Sequence, residues 1–490
     1  MKARIYKLLL TCAITIFAGG LFYLGTGLSG IGQLLLLAPI PVLLFSYTAT
    51  SRAAFSASFV AYLLGGLSMA RYLLSLSPPP ILVVALVTPS VAFALSILAA
   101  RFAVGRLRSS IAALVFPAAW TSYEYLISLV SPHGTAGSIA YSLPGFHSLN
   151  QIASVTGIWG ITFFVMLVPS ALATGWHFRR SVKKMLNSVL LPAAIVAVML
   201  TYGTFRLAGN YGDRSFVVGL AATDTSVRHF KSTTLAETYP VVQAYQRRAA
   251  ELAAQGAALV VLPEKFVGLV PATDSTVYSL FQGTSNAYRV TIVAGFNQLQ
   301  SPENRNEAVV FSPGTNLLRY EKRYFIPGLE SSYLRGDSIL VFPFHGASVG
   351  VEICKDMDFP GWSRQYGRRG ARVLLVPAWD FVVDAILHSD MAIMRGIEEG
   401  FSIVRCAQEG LLTISDWKGN VLSSKESFNS DEVLILDTVP IGPGKTIYSE
   451  AGDWFAWLNL LLLFLSTTPR IRRLLYVRHK PQIRDSLKPF

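Results

Sequence analysis

Three residues at or near the ends of predicted strands have side chains that together suit acyl-group chemistry. Glu264 follows a predicted strand at 258–263, and Cys354 ends another at 349–354, with Lys322 between them in the chain. A thiol is a useful nucleophile only as the thiolate, so it needs a base and a positive neighbour. Glu264 would take the thiol proton and return it to a leaving group. Lys322 would hold a developing oxyanion, assisted by the backbone N–H that follows Cys354.

Each of these residues also has a plain structural interpretation when it is taken alone. A cysteine at a strand end is more often a small buried hydrophobe. A glutamate after a strand is usually a loop charge, and a lone lysine usually lies on the solvated surface. Their order and flanking sequences favour the chemical interpretation: Leu262-Pro263-Glu264, Tyr320-x-Lys322 and Cys354-x-Asp356-x-x-Phe359-Pro360. The seven histidines and three cysteines show no ligand spacing, so we predict neither a metal nor another cofactor.

The elements that must position these residues lie between membrane helices. Of the 490 residues, 52% are hydrophobic and only 14% are charged, which is too apolar for an ordinary soluble chain. A helix needs about 20 apolar residues to cross a bilayer. Runs of that kind predict about eight spans, near 5–26, 31–49, 53–76, 79–104, 109–131, 150–175, 186–207 and 454–469.

The charge distribution gives an orientation and argues against nucleic-acid binding. The net charge is +13, yet residues 213–453 hold 27 of the 29 acidic residues and only 22 of the 42 basic ones. The surplus basic residues therefore lie in the loops and the C-terminal tail of the apolar part, the pattern that sets membrane topology. We predict both termini in the cytoplasm and residues 213–453 outside. The expected domains are 1–210 (seven membrane helices), 211–452 (catalytic) and 453–490 (a final span and a basic cytoplasmic tail).

Residues 213–453 change to short β-branched runs alternating with helical periodicity, which predicts one layered α/β domain. The helical stretches are 235–255 and 386–399. The predicted strands are 215–222, 258–263, 291–296, 308–312, 349–354, 373–377, 402–406, 411–415 and 432–437.

The order Glu264, Lys322, Cys354 resembles the nitrilase, or carbon–nitrogen hydrolase, superfamily, which implies an αββα sandwich with a Glu-Lys-Cys triad. Seven spans before this block and one after it resemble the apolipoprotein N-acyltransferase family within that superfamily. Trp120-x-x-x-Glu124 and the segment 149–160 are similar to that family as well. The resemblance implies that Glu330 is a further carboxylate supporting the triad.

The resemblance also implies a reaction. Cys354 would take an acyl chain from a phospholipid as a thioester and pass it to the N-terminal amine of a diacylglyceryl-cysteine apolipoprotein. The enzyme would lie in the bacterial inner membrane with its catalytic domain on the periplasmic side. A membrane-anchored amidase of the same superfamily is the alternative, and a transporter or receptor is a third. Few charged residues lie within the spans, which argues against transport.

Several residues depart from the family pattern or have two interpretations. The family has Cys-Tyr-Glu where this chain has Cys354-Lys355-Asp356, so we expect Lys355 and Asp356 to support the site in a changed way. Lys355 either lowers the thiol pKa or points to solvent. Trp379 either lines the acyl pocket or only packs. The family's tryptophan after the first strand has no counterpart in 223–234.

Four further features were interpreted from their context. The apolar loops 267–278 and 360–366 are expected at the lipid surface. Glu124, inside a span, is interpreted as helix packing rather than as part of a proton or substrate path. The sequence Gly346-Ala347-Ser348-Val349-Gly350 fits a serine-hydrolase elbow, but a strand-like run follows it, so we predict a turn between strands. Cys406 is expected in the core.

Overall fold

The computed structural model describes residues 2–76, 79–209, 214–223, 228–300, 302–428 and 432–467. Among these residues, six helices are long and apolar enough to cross a membrane: Arg4–Gly25, Ser51–Ser75, Pro79–Arg106, Ser109–Val130, Ile158–His177 and Val182–Ala208. Two shorter apolar helical stretches are Gly32–Ser46 and Trp454–Ser466. The predicted multi-span helical part is confirmed, with six full-length helices where eight were expected. The basic residues from 470 onward lie outside the described residues.

The helices before the catalytic domain follow one another closely along the chain. They are α1 (Lys2–Gly25), α2 (Pro39–Ser46), α3 (Ser51–Gly66), α4 (Ala70–Leu76), α5 (Pro79–Arg106), α6 (Ser109–Val130), α7 (His147–Asn150), α8 (Ala153–Thr156), α9 (Ile158–His177) and α10 (Val182–Ala208).

Two of the predicted spans are interrupted for local reasons. The run at 31–49 divides into a 3₁₀ turn, Gly32–Leu36, and α2, which begins at Pro39. Gly32 lies so close to another loop that an added Cβ would be 1.8 Å from the Ser142 carbonyl oxygen. The run at 150–175 divides at Gly157, whose φ of +66° is outside the helical region, so α9 begins only at Ile158.

The domain after α10 consists of two facing sheets. The strands are β1 (Ser215–Ala222), β2 (Leu259–Val261), β3 (Val267–Leu269), β4 (Thr291–Gln298), β5 (Arg305–Phe311), β6 (Leu318–Glu321), β7 (Leu340–Phe344), β8 (Ala347–Val351), β9 (Val373–Trp379), β10 (Ser402–Gln408), β11 (Leu411–Ser415), β12 (Val421–Glu426) and β13 (Val433–Pro440). The first sheet has the strand order β13-β1-β2-β4-β5-β6, with β3 also paired to β4, and the second has the order β12-β11-β10-β9-β8-β7.

Helices cover the outer faces of both sheets and complete the predicted αββα sandwich. The helices in and after this domain are α11 (Leu235–Ala254), α12 (Asp274–Tyr288), α13 (Pro360–Arg368), α14 (Ala385–Glu399), α15 (Ile447–Ala451) and α16 (Trp454–Thr467). In the first layer, α11 contacts β1 and α12 contacts β4 and β5, whereas in the last layer α14 contacts β10 and β11 with α13 beside it. Strands buried on both faces, such as β4 and β9, are nearly continuous apolar runs in the sequence.

The sandwich is seated on the membrane helices through α14. Buried Arg395 donates a hydrogen bond to Tyr141 at 2.6 Å, and Glu398 accepts one from the Ile158 backbone N–H at 2.8 Å. At the other end of the same helix, Tyr72 of α4 donates to Asp384 at 2.7 Å. The two halves are therefore joined by specific buried contacts as well as by the chain itself.

Candidate active site

Glu264, Lys322 and Glu330 meet at one end of the first sheet. Glu264 follows β2, and Lys322 is the residue after β6. The Lys322 Nζ donates to Glu264 Oε1 at 2.8 Å and to Glu330 Oε2 at 3.0 Å. All three side chains are buried, with at most 2% of each exposed. Burying a charge is unfavourable because it loses its hydration, and here each charge has an opposite charge within hydrogen-bonding distance to offset that loss.

Two residues that the sequence interpretation did not assign complete this cluster. The Asn306 amide donates to Glu264 Oε1 at 2.6 Å and to Glu330 Oε1 at 3.1 Å. The Lys265 Nζ donates to Glu330 Oε1 at 2.6 Å. Lys265 has a positive φ of 47°, a conformation that is rare for a residue with a side chain. Its position directly after Glu264 and its charge were the available signals, whereas nothing in the sequence pointed to Asn306.

The second carboxylate oxygen of Glu264, Oε2, differs from Oε1 in its hydrogen bonding. Glu264 Oε2 is buried and has no hydrogen-bond partner among the described residues. A buried carboxylate oxygen without a donor is costly, and such atoms in proteins call for a functional or structural explanation. An oxygen in this state is available to accept a proton from a substrate or from a neighbouring thiol.

Cys354 lies where β8 gives way to a 3₁₀ turn, Cys354–Asp358. Its φ of 45° is in the left-handed region, where a residue with a side chain is strained. The Sγ atom lies 3.4 Å from the Trp379 carbonyl oxygen, and the residue is partly exposed. Strained backbone at the end of a buried strand is typical of residues held for chemistry.

The charges around Cys354 act on it in opposite directions. Burial, and then Glu264, raise the pKa of the Cys354 thiol well above its usual value, while Lys322 lowers it. Burial disfavours the charged form of Lys322, but Glu264 and Glu330 outweigh it and raise the pKa of Lys322 well above its usual value. The resting thiol is therefore protonated beside a fixed ammonium group, and it requires a base before it can attack.

Asp356 joins the nucleophile turn to the segment that carries Lys322. Its carboxylate accepts hydrogen bonds from the Tyr320 hydroxyl at 2.6 Å and from the backbone N–H groups of Arg323, Tyr324 and Ile353 at 3.0, 2.8 and 3.2 Å. Burial raises the pKa of Asp356 to about 7, against the opposing effect of the hydrogen bond from Tyr320. Asp356 thus fixes the position of the nucleophile turn relative to the segment that carries Lys322.

Lys355 does not point to solvent, which was one of the two alternatives for this residue. Its side chain is largely buried and donates to Asp358 at 2.7 Å, and its Nζ lies 3.4 Å from His133 Nδ1 in the membrane half. Residues three apart on a 3₁₀ turn lie over one another, so Lys355 faces Asp358. An effect of Lys355 on the pKa of the Cys354 thiol stays a prediction.

Trp379, the last residue of β9, lies beside the cluster. Its indole N–H donates to Glu409 at 2.7 Å, and its ring is 5.5 Å from Lys265 Nζ and 5.0 Å from the ring of Phe230. Its ring is partly exposed, and its carbonyl contacts Cys354. The geometry makes Trp379 part of the wall around Cys354, and lining of an acyl pocket stays a prediction.

Two of three further sequence predictions, a turn at Gly346–Gly350 and a buried Cys406, are confirmed, and the third is wrong. Ser348 is inside β8, which pairs with β7 through a hairpin, so Gly346–Gly350 is no nucleophile elbow. Cys406 is fully buried in β10. The lipid-surface prediction for 267–278 and 360–366 is wrong, because the large apolar and aromatic side chains there pack inward: Val267, Leu269, Val277, Tyr278, Trp362 and Tyr366.

Comparison with known proteins agrees with both halves of this architecture. A family model for "Carbon-nitrogen hydrolase" matches residues 218–439, and one for "Apolipoprotein N-acyltransferase N-terminal domain" matches residues 18–171. The apolipoprotein N-acyltransferase of Geobacter metallireducens is 25% identical over 374 residues, which are 70% of this chain and 71% of that protein. The chain belongs to the apolipoprotein N-acyltransferase family. It is therefore an acyltransferase of the carbon–nitrogen hydrolase superfamily.

Other members of the apolipoprotein N-acyltransferase family give the same picture. The protein of Shewanella oneidensis is 24% identical over 384 residues, 69% of this chain and 70% of its own length. Together with the six membrane-length helices, these relatives identify a bacterial membrane protein.

Amidases of the superfamily match less of the chain. An (R)-stereoselective amidase of a Pseudomonas species is 29% identical over 106 residues, 22% of this chain and 38% of that protein. A solved structure of an amidase from Nesterenkonia sp. AN1, of the nitrilase superfamily, is 17% identical, with a TM-score of 0.41, covering 51% of this chain and all of that one.

Proposed function

We propose that this protein transfers a fatty acyl chain from a phospholipid to the N-terminal amine of diacylglyceryl-cysteine apolipoproteins, with Glu264, Lys322 and Cys354 as its catalytic triad. The observation that carries the proposal is a cysteine, a buried lysine and a glutamate with an unpartnered oxygen, gathered at one site in a domain seated on membrane helices. The match of residues 18–171 to an apolipoprotein N-acyltransferase N-terminal domain supports this proposal over the amidase alternative.

The first half-reaction makes a thioester. Glu264 Oε2 takes the Cys354 proton, and the sulfur attacks the ester carbonyl carbon of the phospholipid. A C–S bond forms as the ester C–O bond breaks, and Glu264 returns the proton to the oxygen of the departing lysophospholipid. The Lys322 ammonium, fixed between Glu264 and Glu330, and the backbone N–H of Lys355 support the developing oxyanion.

The second half-reaction transfers the chain. The neutral α-amine of the lipoprotein attacks the thioester carbonyl, so that a C–N bond forms as the C–S bond breaks. Glu264 accepts the amine proton and returns it to the sulfur, which restores the thiol. The two halves share one nucleophile, so the kinetics are ping-pong. Water must be kept from the thioester between the halves.

Access from the bilayer favours transfer over hydrolysis. The segment that follows Trp379 exposes Val382, Val383 and Ile386, with 40 to 62% of each accessible. Asp384 within this segment is tied to Tyr72 of the membrane half. Exposed apolar side chains thus lie between this contact with the membrane half and Trp379, whose carbonyl contacts Cys354, and they suit an acyl chain better than a small amide. The catalytic domain on the outer side of the membrane, with both termini in the cytoplasm, is part of the proposal.

The experiment incubates the detergent-solubilised full chain with phospholipid and a synthetic diacylglyceryl-cysteine lipopeptide. We expect the lipopeptide to gain one acyl chain on its amine, and the Cys354→Ala variant to give none. Release of free fatty acid without transfer, or cleavage of small amides alone, would identify a hydrolase and overturn the proposal.

A further inference from the structure

The nucleophile turn is held from the membrane side by one loop, residues 131–142, between α6 and α7. Thr135 donates to the Asp358 carbonyl oxygen from both its backbone N–H and its hydroxyl, each at 2.9 Å. Gly134 has a φ of +50°, and a Cβ added there would lie 2.3 Å from the same oxygen. Asp358 is the last residue of the turn that begins at Cys354. Loop 131–142 therefore touches the turn too closely for either to move alone.

Loop 131–142 is itself anchored by a carboxylate inside the membrane half. Glu124 Oε1 accepts hydrogen bonds from the Ile139 backbone N–H and the Trp120 indole, each at 3.0 Å. Glu124 Oε2 accepts from the hydroxyls of Ser138 at 2.6 Å and Thr162 at 2.7 Å. Glu124 thus ties α6, α9 and the loop to one another. Helix packing, the earlier interpretation, describes only part of this role.

The hydrogen bonds of Glu124 suit a structural role better than proton transport. Both partners of Oε1 are N–H groups, which can only donate, and both partners of Oε2 are hydroxyls. No lysine or arginine pairs with Glu124 among the described residues. A carboxyl group whose two oxygens both have two hydrogen-bond partners suits holding structure better than passing a proton.

We propose that Glu124 is a positioning residue which, through loop 131–142, holds the turn of Cys354 in its strained active conformation. The route runs from Glu124 to Ser138 and Ile139, along the loop to Thr135, and from there to Asp358. A left-handed backbone at Cys354 is strained and persists only if surrounding contacts hold it. Loop 131–142 supplies the contacts on the side of the membrane half. The membrane half thereby acts on the chemistry as well as anchoring the domain.

The Cys354-Lys355-Asp356 departure fits this arrangement. Lys355 approaches His133 in loop 131–142 and Asp358 at the end of the turn, so it lies at the same contact. In this chain the residue after the nucleophile faces the membrane-half loop instead of the thiol. The proposal rests on the proposed function for its catalytic consequence, but the geometry of the turn can be measured without it.

The experiment uses the full chain in detergent, in a Cys12→Ser background, because Cys12 is exposed and Cys406 is buried. Glu124→Gln replaces one acceptor oxygen by an N–H₂ group, so Ser138 and Thr162 can no longer both donate there. Thr135→Val removes the hydroxyl donor at nearly constant shape. Thr135→Ser keeps that donor and is the rescue variant. Ser170→Ala is the matched control, since Ser170 is also buried in the membrane half but bonds to Ala113 at 2.7 Å, away from the loop.

Two readouts are measured: thioester formation from phospholipid, and the pH profile of Cys354 alkylation by iodoacetamide. We expect Glu124→Gln and Thr135→Val to slow thioester formation by about tenfold or more and to shift the alkylation profile. Thr135→Ser and Ser170→Ala should stay close to the parent protein, and melting temperatures report folding. If Glu124→Gln does not fold, Thr135→Val decides the matter.

Unchanged rates and profiles in both test variants would overturn the proposal, as would an equal effect in Ser170→Ala. A parent protein that forms no thioester would overturn the proposed function instead. In that case the alkylation profile still decides whether loop 131–142 positions Cys354.

Discussion

At the scale of single residues, a carboxylate and an ammonium group act on the Cys354 thiol together. Glu264 and Lys322 are in direct contact, and Cys354 begins the turn beside them. The two charges have opposite effects on the pKa of the thiol.

Glu264 and Lys322 have opposite effects on the pKa of the thiol, so we predict that removing each charge shifts Cys354 alkylation in opposite pH directions. Glu264 raises the pKa of Cys354, so Glu264→Gln should move the alkaline rise of Cys354 alkylation to lower pH. Lys322 lowers that pKa, so Lys322→Met should move the rise to higher pH. Both variants should lose acyl transfer by about a hundredfold or more.

The measurement is the iodoacetamide rate against pH, followed by mass spectrometry in the Cys12→Ser background. Shifts of the same sign in the two variants would show that these charges do not face the thiol as described. Melting temperatures of both variants serve as the folding control.

The order and flanking sequences of Glu264, Lys322 and Cys354 were enough to predict which residue types meet. Asn306 could not be predicted, because its approach depends on how separate strands pack. Lys265 offered only its charge and its position after Glu264. Lys355 could not be placed, since adjacency to Cys354 in sequence says nothing about direction until the 3₁₀ turn is known.

At the scale of elements, strands within a longer apolar run were predictable, whereas strands without such a run were not. β1, β4, β9 and β10 were recognised from β-branched apolar runs, since each is buried. The three residues of β2 were found inside the apolar run 258–263, whereas β3 is equally short and β12 is largely exposed. Their pairing is set by neighbouring strands.

The link between the Lys322 segment and the nucleophile turn can be tested at Tyr320. Tyr320→Phe removes the 2.6 Å hydrogen bond to Asp356 and leaves the Trp362 indole, 3.0 Å from the same hydroxyl, without that acceptor. We expect a loss of about 2 kcal/mol in unfolding free energy, because the acceptor is a buried carboxylate.

The matched control for Tyr320→Phe is Tyr366→Phe, another buried tyrosine, whose hydroxyl donates at 2.5 Å to the backbone carbonyl of Val351. That neutral hydrogen bond should be worth about 1 kcal/mol. Chemical unfolding of the two variants in detergent provides the comparison, and a larger loss for Tyr366→Phe would refute the role given to Asp356.

At the scale of the whole molecule, the sequence predicted a membrane part and a sandwich but could not show how they meet. Apolar run length marks helices, yet it does not detect the breaks before Pro39 and at Gly157. The buried contacts of α14 with the membrane half join residues that are far apart in sequence. A local sequence pattern cannot predict contacts between residues so far apart in the chain.

The proposed orientation can be tested with engineered cysteines in intact spheroplasts, in a Cys12→Ser, Cys354→Ala background that retains only the buried Cys406. Lys445 is exposed in the catalytic domain, and Lys183 is exposed in the first turn of α10, an end expected in the cytoplasm. We expect a membrane-impermeant maleimide to label Lys445→Cys but not Lys183→Cys, which should react only after lysis. The reverse pattern would place the catalytic domain in the cytoplasm.

The central claim is that Cys354 carries the acyl chain. Its most direct test is the intact mass of the purified full chain after incubation with phospholipid and no acceptor, beside Cys354→Ala. We predict a mass gain of one fatty acyl group that hydroxylamine removes and that the variant lacks. A folded protein with no adduct, or an adduct that persists in Cys354→Ala, would contradict the account.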